Sequence, residues 1–241
     1  MKKWNHVSKP WGQYVIAKVN LPDILRHELK KAKGNKVMLS TVTDCYQPIE
    51  RELKLTRGCL EVLSGVPCSV LIVTKSPLVV RDIDILKRFE EKMVGVSISY
   101  HDDNLRKVFE RASGSIPLRI KTLKTLKDSH VKSWAFISPI IPYVTNVTEI
   151  VKKLQGSVDS IGASTFNPYK NTLQSMRVSL MSMGVNFDRA LEKVFDCAFW
   201  DKTEEMLETA CRKTGITFEG LHRFACTPVV DINVKHIDVI G

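Results

Sequence analysis

The chain has 241 residues, 44% hydrophobic and 26% charged, which is enough apolar material to bury a core in one α/β domain and excludes disordered and fibrous classes. Lysine and arginine outnumber aspartate and glutamate, giving a formal net charge of +10 at pH 7, so the surface field favours polyanions and makes nucleic acid a candidate partner. No apolar run approaches the roughly 20 residues that span a bilayer. The Lys-rich start Met1-Lys2-Lys3-Trp4 leads into polar residues instead of a signal-peptide core, so a soluble cytoplasmic protein with no membrane role is expected.

In chain order, Lys36 to Thr43 reads as a strand and Ile49 to Leu63 as an amphipathic helix. Ser69 to Thr74 is the next strand, followed by a helix over Arg81 to Lys92. Val94 to Ser99 is a third strand, with helices over Asn104 to Ala112 and Leu118 to Lys127. Ser133 to Ser138, the helix Val147 to Leu154 and the strand Val158 to Ser164 continue the rhythm. Strands too apolar to face water on either side, each followed by a helix, predict a parallel sheet with right-handed crossovers. Beyond about Asn167 the pattern turns helical, over Thr172 to Met183, Asp188 to Phe195 and Thr203 to Lys213, and then to a mixed tail. The expected organisation is a barrel-like unit over 1–166 and a helical C-terminal extension over 167–241.

Polar residues follow the apolar strands at Thr43-Asp44, Thr74-Lys75, Ser97 to Ser99 and Ser138-Pro139. In parallel α/β sheets the carboxyl ends of the strands form the ligand site, so these four ends predict one shared mouth. Lys75 directly follows Val70-Leu71-Ile72-Val73-Thr74, where an ammonium must reach solvent or find an anion such as a carboxylate. Alternation sends Ser97 and Ser99 to one face of their strand. Asp44 suits either a ligand or a helix cap. Tyr100-His101-Asp102-Asp103 combines imidazole with carboxylates, but adjacent residues on a turn cannot all face one ion, and Asp102 or Asp103 is better read as an N-cap. Arg57 and Glu61, one helical turn apart, are expected to form a structural pair. Asp82 is expected to favour the start of a helix. The basic residues Arg119, Lys121, Lys124, Lys127 and Lys132 read as one solvated face.

Three stretches carry a more specific signal: Ser40-Thr41-Val42-Thr43-Asp44-Cys45-Tyr46-Gln47-Pro48-Ile49-Glu50, then Leu55-Thr56-Arg57-Gly58-Cys59-Leu60-Glu61-Val62-Leu63, then Val73-Thr74-Lys75-Ser76-Pro77-Leu78. Together they resemble the spore photoproduct lyase-like, or DNA repair photolyase-like, branch of the radical S-adenosylmethionine enzymes, over roughly residues 11 to 165 by eye, within the few-residue boundary accuracy of pattern reading. The resemblance implies a partial (β/α) barrel. It also implies S-adenosylmethionine and a [4Fe-4S] cluster as cofactors, and radical repair or modification of a nucleic-acid base as the activity. Carried onto this chain, it assigns Lys75 to the cofactor's carboxylate, Ser97 to its methionyl part, and Thr43 and Asp44 to the same cradle. Cys45 stands where the family usually has proline.

The implied cluster needs three neighbouring thiolates, usually spaced C-x-x-x-C-x-x-C. The six cysteines Cys45, Cys59, Cys68, Cys197, Cys211 and Cys226 are scattered with no C-x-x-C pair, so no metal ligand set and no disulfide framework is read from them. In the family the motif lies upstream of a stretch like Trp11 to Asn20. The expectation is therefore a barrel lacking its first βα unit and inactive as it stands. The alternative is a non-enzymatic basic module that binds nucleic acid or protein.

Overall fold

The computed structural model describes residues 13–29, 36–40, 42–168 and 170–224. Trp11, Gly12, Thr41, Cys226 and the tail after residue 224 lie outside them. Six strands form one sheet: β1 Lys36–Leu39, β2 Ser69–Thr74, β3 Lys92–Ser97, β4 Ser133–Ile140, β5 Ser160–Thr165 and β6 Thr217–His222. Every neighbouring pair is parallel, and the spatial order is the chain order.

That order decides the shape. Right-handed crossovers between strands added in one direction all fall on the same side, so one sheet face is covered by helices and the other curls inward. The helices are α1 Leu21–Glu28, α2 Glu50–Leu53, α3 Leu55–Leu63, α4 Ile83–Leu86, α5 Asp103–Phe109, α6 Ile116–Asp128, α7 Val147–Leu154, α8 Lys170–Ser182, α9 Phe187–Val194 and α10 Cys197–Thr214. Val70, Ile72, Val94, Val96, Ala135, Ile137, Ile161 and Ala163 occupy the covered face. They are buried together with Leu60 and Leu63 of α3, Leu123 and Leu126 of α6, and Ile150 and Leu154 of α7. Among the described residues no helix is long and apolar enough to cross a membrane.

The structure departs from the expected elements at several places. The helix expected over Ile49 to Leu63 breaks at Lys54, which adopts φ 51° and ψ 32° and caps α2. Instead of a helix over Arg81 to Lys92 there is a 3-10 turn, Pro77–Asp82, then the single turn of α4. Lys92 already belongs to β3, and β5 begins at Ser160 rather than Val158. The segment read as a helical extension also supplies β6, paired in parallel with β5, while α10 packs along α7. A second apolar cluster joins Tyr100, Ile141 and Phe166, which follow β3, β4 and β5, to Met176, Leu180, Ala190 and Val194 of α8 and α9. The C-terminal helices thus pack beside the carboxyl ends of the central strands.

Candidate functional site at the carboxyl edge of the sheet

Register assigns the inward face row by row. Val73 pairs with Gly95, Gly95 with Trp134, and Trp134 with Ser160; one step nearer the carboxyl edge, Ser97 pairs with Phe136 and Phe136 with Gly162. Because side chains alternate between faces, these residues share the face opposite the helix-covered core. Trp134, Phe136 and Ser138 are each partly exposed, whereas Ser133, Ala135 and Ile137, which alternate with them, are buried. The Trp134 indole lies across the neighbouring strands: a Cβ on Gly95 would meet its Cη2 at 2.5 Å, and one on Gly162 would meet its Nε1 at 3.6 Å. Gly95 on the neighbouring strand makes room for that ring, while a side chain at Gly162 would only touch it, and the ring forms the floor of this face.

The rim above the floor is polar. The Ser99 hydroxyl donates to the Ser138 carbonyl, and the hydroxyls of Ser138 and Ser164 lie 2.6 Å apart, so three adjacent strands are laced by serines. Ser97 is buried, and its carbonyl accepts from Arg119 at 2.8 Å. Lys75 sits one residue beyond β2, where alternation from Val73 directs it to the inward face beside Ser97.

Each candidate residue has a defined setting. The Lys75 ammonium pairs with Glu110 Oε1 at 2.7 Å, and its side chain keeps 37% exposure. Asp44 ties the loop after β1 to the end of β2: Oδ1 accepts from Tyr46 N at 2.9 Å and Thr74 Oγ1 at 2.7 Å, and Oδ2 accepts from Lys75 N at 2.7 Å. Its carboxylate therefore fixes the backbone from which Lys75 springs. Thr43 is exposed on the same loop. Ser40, with φ 72°, accepts from Cys45 N at 2.8 Å, while Thr56 Oγ1 donates to the Cys45 carbonyl at 2.6 Å. Burial pushes the Cys45 thiol up to about 12, so it stays protonated at neutral pH.

Two buried ion networks hold these loops, and both gather residues that sequence reasoning missed or undervalued. In the first, Arg119 is fully buried, so it does not share the solvated face expected for the α6 lysines. It donates to Glu110 Oε2 at 2.7 Å and to the Gly114 carbonyl at 2.8 Å. Lys121, Lys124 and Lys132 are exposed, and Lys127 pairs with Asp159 at 2.6 Å. Burial opposes ionisation of Glu110, but the charges and hydrogen bonds of Lys75 and Arg119 outweigh it and hold the carboxyl below its ordinary range.

In the second network Asp82, fully buried, accepts from Arg57, Arg81 and the Tyr46 hydroxyl at 2.8 to 3.1 Å. Asp82 precedes α4 as expected, but its carboxylate serves these partners and makes no side-chain cap. Glu50 accepts from the amides of Thr56 and Arg57 at the start of α3 and from Arg81 at 2.8 Å. Arg57 also reaches Glu61 at 3.4 Å, the pair expected from their spacing.

The Tyr100 to Asp103 run divides its labour. Tyr100 stacks on Phe109 with centroids 5.2 Å apart, Asp102 caps α5 through Asn104 N and Leu105 N, and Asp103 accepts from Arg106 and Ile116 N. Among the described residues no three His, Cys, Asp or Glu groups are arranged to hold a metal ion.

No family model matches the chain. An uncharacterised protein of Methanocaldococcus jannaschii is 43% identical over 151 residues, covering 63% of this chain and 56% of that protein. Another, from Mycobacterium tuberculosis strain H37Rv, is 28% identical over 157 residues, covering 62% of this chain and 46% of its own length. The chain spans about half the length of these curated relatives. Among solved structures, a cysteine-to-serine mutant of spore photoproduct lyase superposes with a TM-score of 0.63 at 13% identity, covering 84% of this chain and 67% of that one. The chain shares the fold of that lyase, a parallel sheet with helices. A further structure of that lyase, with AdoMet and dinucleoside spore photoproduct bound, superposes at 0.62 with 12% identity, covering 83% of this chain and 66% of that one. In this fold the row Lys75, Ser97, Ser99, Ser138 and Ser164 occupies the carboxyl edge, where α/β barrels bind their ligands.

Proposed function

We propose that this chain is a radical S-adenosylmethionine protein of the DNA photolyase-like group, and that its barrel mouth binds S-adenosylmethionine. The observation that carries the reading is that Lys75 and Ser97 stand at the carboxyl ends of the adjacent strands β2 and β3 and belong to one network, the Lys75 ammonium reaching Glu110 and Glu110 reaching Arg119, which holds the Ser97 carbonyl. Lys75 takes the cofactor's carboxylate. Ser97, with Thr43 and Asp44 from the loop after β1, completes the cradle for the methionyl part. The donor set fits that group: one ammonium and several hydroxyls at the rim, above an aromatic floor that suits a planar base.

The cluster is a different matter. Reductive cleavage of the sulfonium requires an iron–sulfur centre, and the described cysteines fall at dispersed sites with no cluster geometry. Radical repair or modification of a nucleic-acid base would need a cluster ligand set from outside these residues. The net charge of +10 supports the nucleic-acid substrate class.

The test is calorimetric titration of S-adenosylmethionine into wild type and Lys75→Ala. Loss of one charge-assisted hydrogen bond should weaken binding roughly 10- to 100-fold. Unchanged affinity would sink the reading. If Lys75→Ala only slightly lowered affinity for DNA while wild type ignored S-adenosylmethionine, a non-enzymatic nucleic-acid-binding module would take its place.

A further inference from the structure

We infer that Glu110 is the positioning residue for Lys75: its buried carboxylate holds the lysine ammonium in place before a ligand arrives. The inference rests on the reading that Lys75 takes a ligand carboxylate.

The reasons are geometric. A lysine carries its charge on a flexible four-carbon stem, and an unrestrained ammonium at a barrel mouth would have to be ordered by the ligand itself. Here it is already held, 2.7 Å from Glu110 Oε1. Glu110 cannot swing away, because it is only 10% exposed and its other oxygen is engaged by Arg119, itself completely buried. Arg119 is anchored in turn to the Ser97 and Gly114 carbonyls, both at 2.8 Å, and to the Ser113 hydroxyl. The loop carrying these groups is keyed against the lysine's own backbone: a Cβ on Gly114 would stand 2.7 Å from Pro77 Cδ and 3.2 Å from the Lys75 carbonyl. One network therefore joins the Lys75 ammonium, through Glu110 and Arg119, to the Ser97 carbonyl.

Charge supports the same role. Glu110 is a single anion between two cations, so the trio carries one surplus positive charge. A monoanionic carboxylate would neutralise it without displacing Glu110. Had Glu110 faced Lys75 alone, the pair would be neutral and the ligand would have to compete for the ammonium. Arg119 removes that competition.

The test is a double-mutant cycle on the whole chain, with affinities for S-adenosylmethionine and for 5′-methylthioadenosine, which lacks the amino-acid part. We expect Glu110→Gln to weaken S-adenosylmethionine roughly three- to tenfold and to leave 5′-methylthioadenosine unchanged. In the Lys75→Ala background the same substitution should have no effect. Equal weakening of both ligands, or an effect that persists undiminished without Lys75, would assign Glu110 a merely structural role and overturn the inference. If Lys75→Ala itself changes nothing, the proposed function falls first and the inference with it. Should Glu110→Gln fail to fold, the ammonium resonance of Lys75 in ligand-free wild type decides: a held ammonium exchanges slowly enough to be seen, identified by its loss in Lys75→Arg, and its absence would refute the positioning role.

Discussion

The two halves of the carboxyl edge are built differently. On the β1 to β3 side the loops are fixed by buried ions: Asp82 with Arg57 and Arg81, Glu50 with Arg81, and Glu110 with Lys75 and Arg119. On the β4 to β5 ends the rim is made of hydroxyls, Ser138 and Ser164, backed by the apolar cluster that packs α8 and α9 beside the strand ends, and the ion pairs of Arg223 with Asp201 and Glu204 lie at the outer edge, after β6. A buried charge is costly unless paired, so ion networks are a poor way to gain stability and a good way to fix geometry. Under the proposed function, fixed charge would stand where a ligand's charged group is received, and neutral hydrogen bonding where the rest of the ligand lies.

The largest expected effect tests whether the charged half depends on its pairing. Asp82→Ala leaves Arg57, Arg81 and the Tyr46 hydroxyl without their shared acceptor, and breaking a buried pair by removing one partner costs about 3–5 kcal/mol. Urea unfolding followed by circular dichroism would measure it; a loss below about 1 kcal/mol, the range of a surface pair, would show that the network is slack and that the contrast between the halves is overstated.

A smaller effect is expected at the seam between the halves, where Gly95 of β3 meets Trp134 of β4. In Gly95→Ala the new Cβ would meet the Trp134 ring at 2.5 Å, so the indole must leave its place on the floor. Overpacking of this kind costs about 1–3 kcal/mol, and it should come with a shift in the Trp134 near-ultraviolet signal, isolated by comparison with Trp134→Phe. An unchanged spectrum would mean that the floor is not set by the flanking glycine.

The smallest effect concerns acid. Glu110 has a folded-state pKa below its unfolded value, so its contribution to stability is fully present above the ordinary glutamate range near pH ~4.3 and is lost as pH falls through the depressed value. Glu110→Gln should therefore flatten the acid limb of a stability profile below about pH 4 relative to wild type. Parallel acid limbs would remove Glu110 from the titrating set.

Much of this architecture was legible in the sequence. The helix Val147–Leu154 has the bounds its periodicity predicts, Asp102 caps α5, and Arg57 meets Glu61, because each depends on neighbours within a turn or two of helix. The break at Lys54 was not legible. Lysine rarely takes a left-handed conformation, and here Glu50, buried at 4% exposure, caps the start of α3 while binding Arg81 from a distant loop. β6 was missed because it is an edge strand: only Leu221 of its six residues is buried, and Gly220, with φ 112°, sits where its register against β5 shifts. Arg119 looked like a solvated charge and Glu110 drew no reading, since no local pattern marks a charge whose partners lie on other elements.

The sequence by itself determined the strand and helix rhythm, the parallel sheet and the polar strand ends, because periodicity and strand-end chemistry are written in consecutive residues. Tertiary structure alone decided that Asp44 grips the Lys75 backbone, that Gly95 makes room for Trp134, and that Glu110 stands between Lys75 and Arg119. Those contacts join residues from different βα units. Only a sheet built in one direction, with its crossover helices on one face, brings them together.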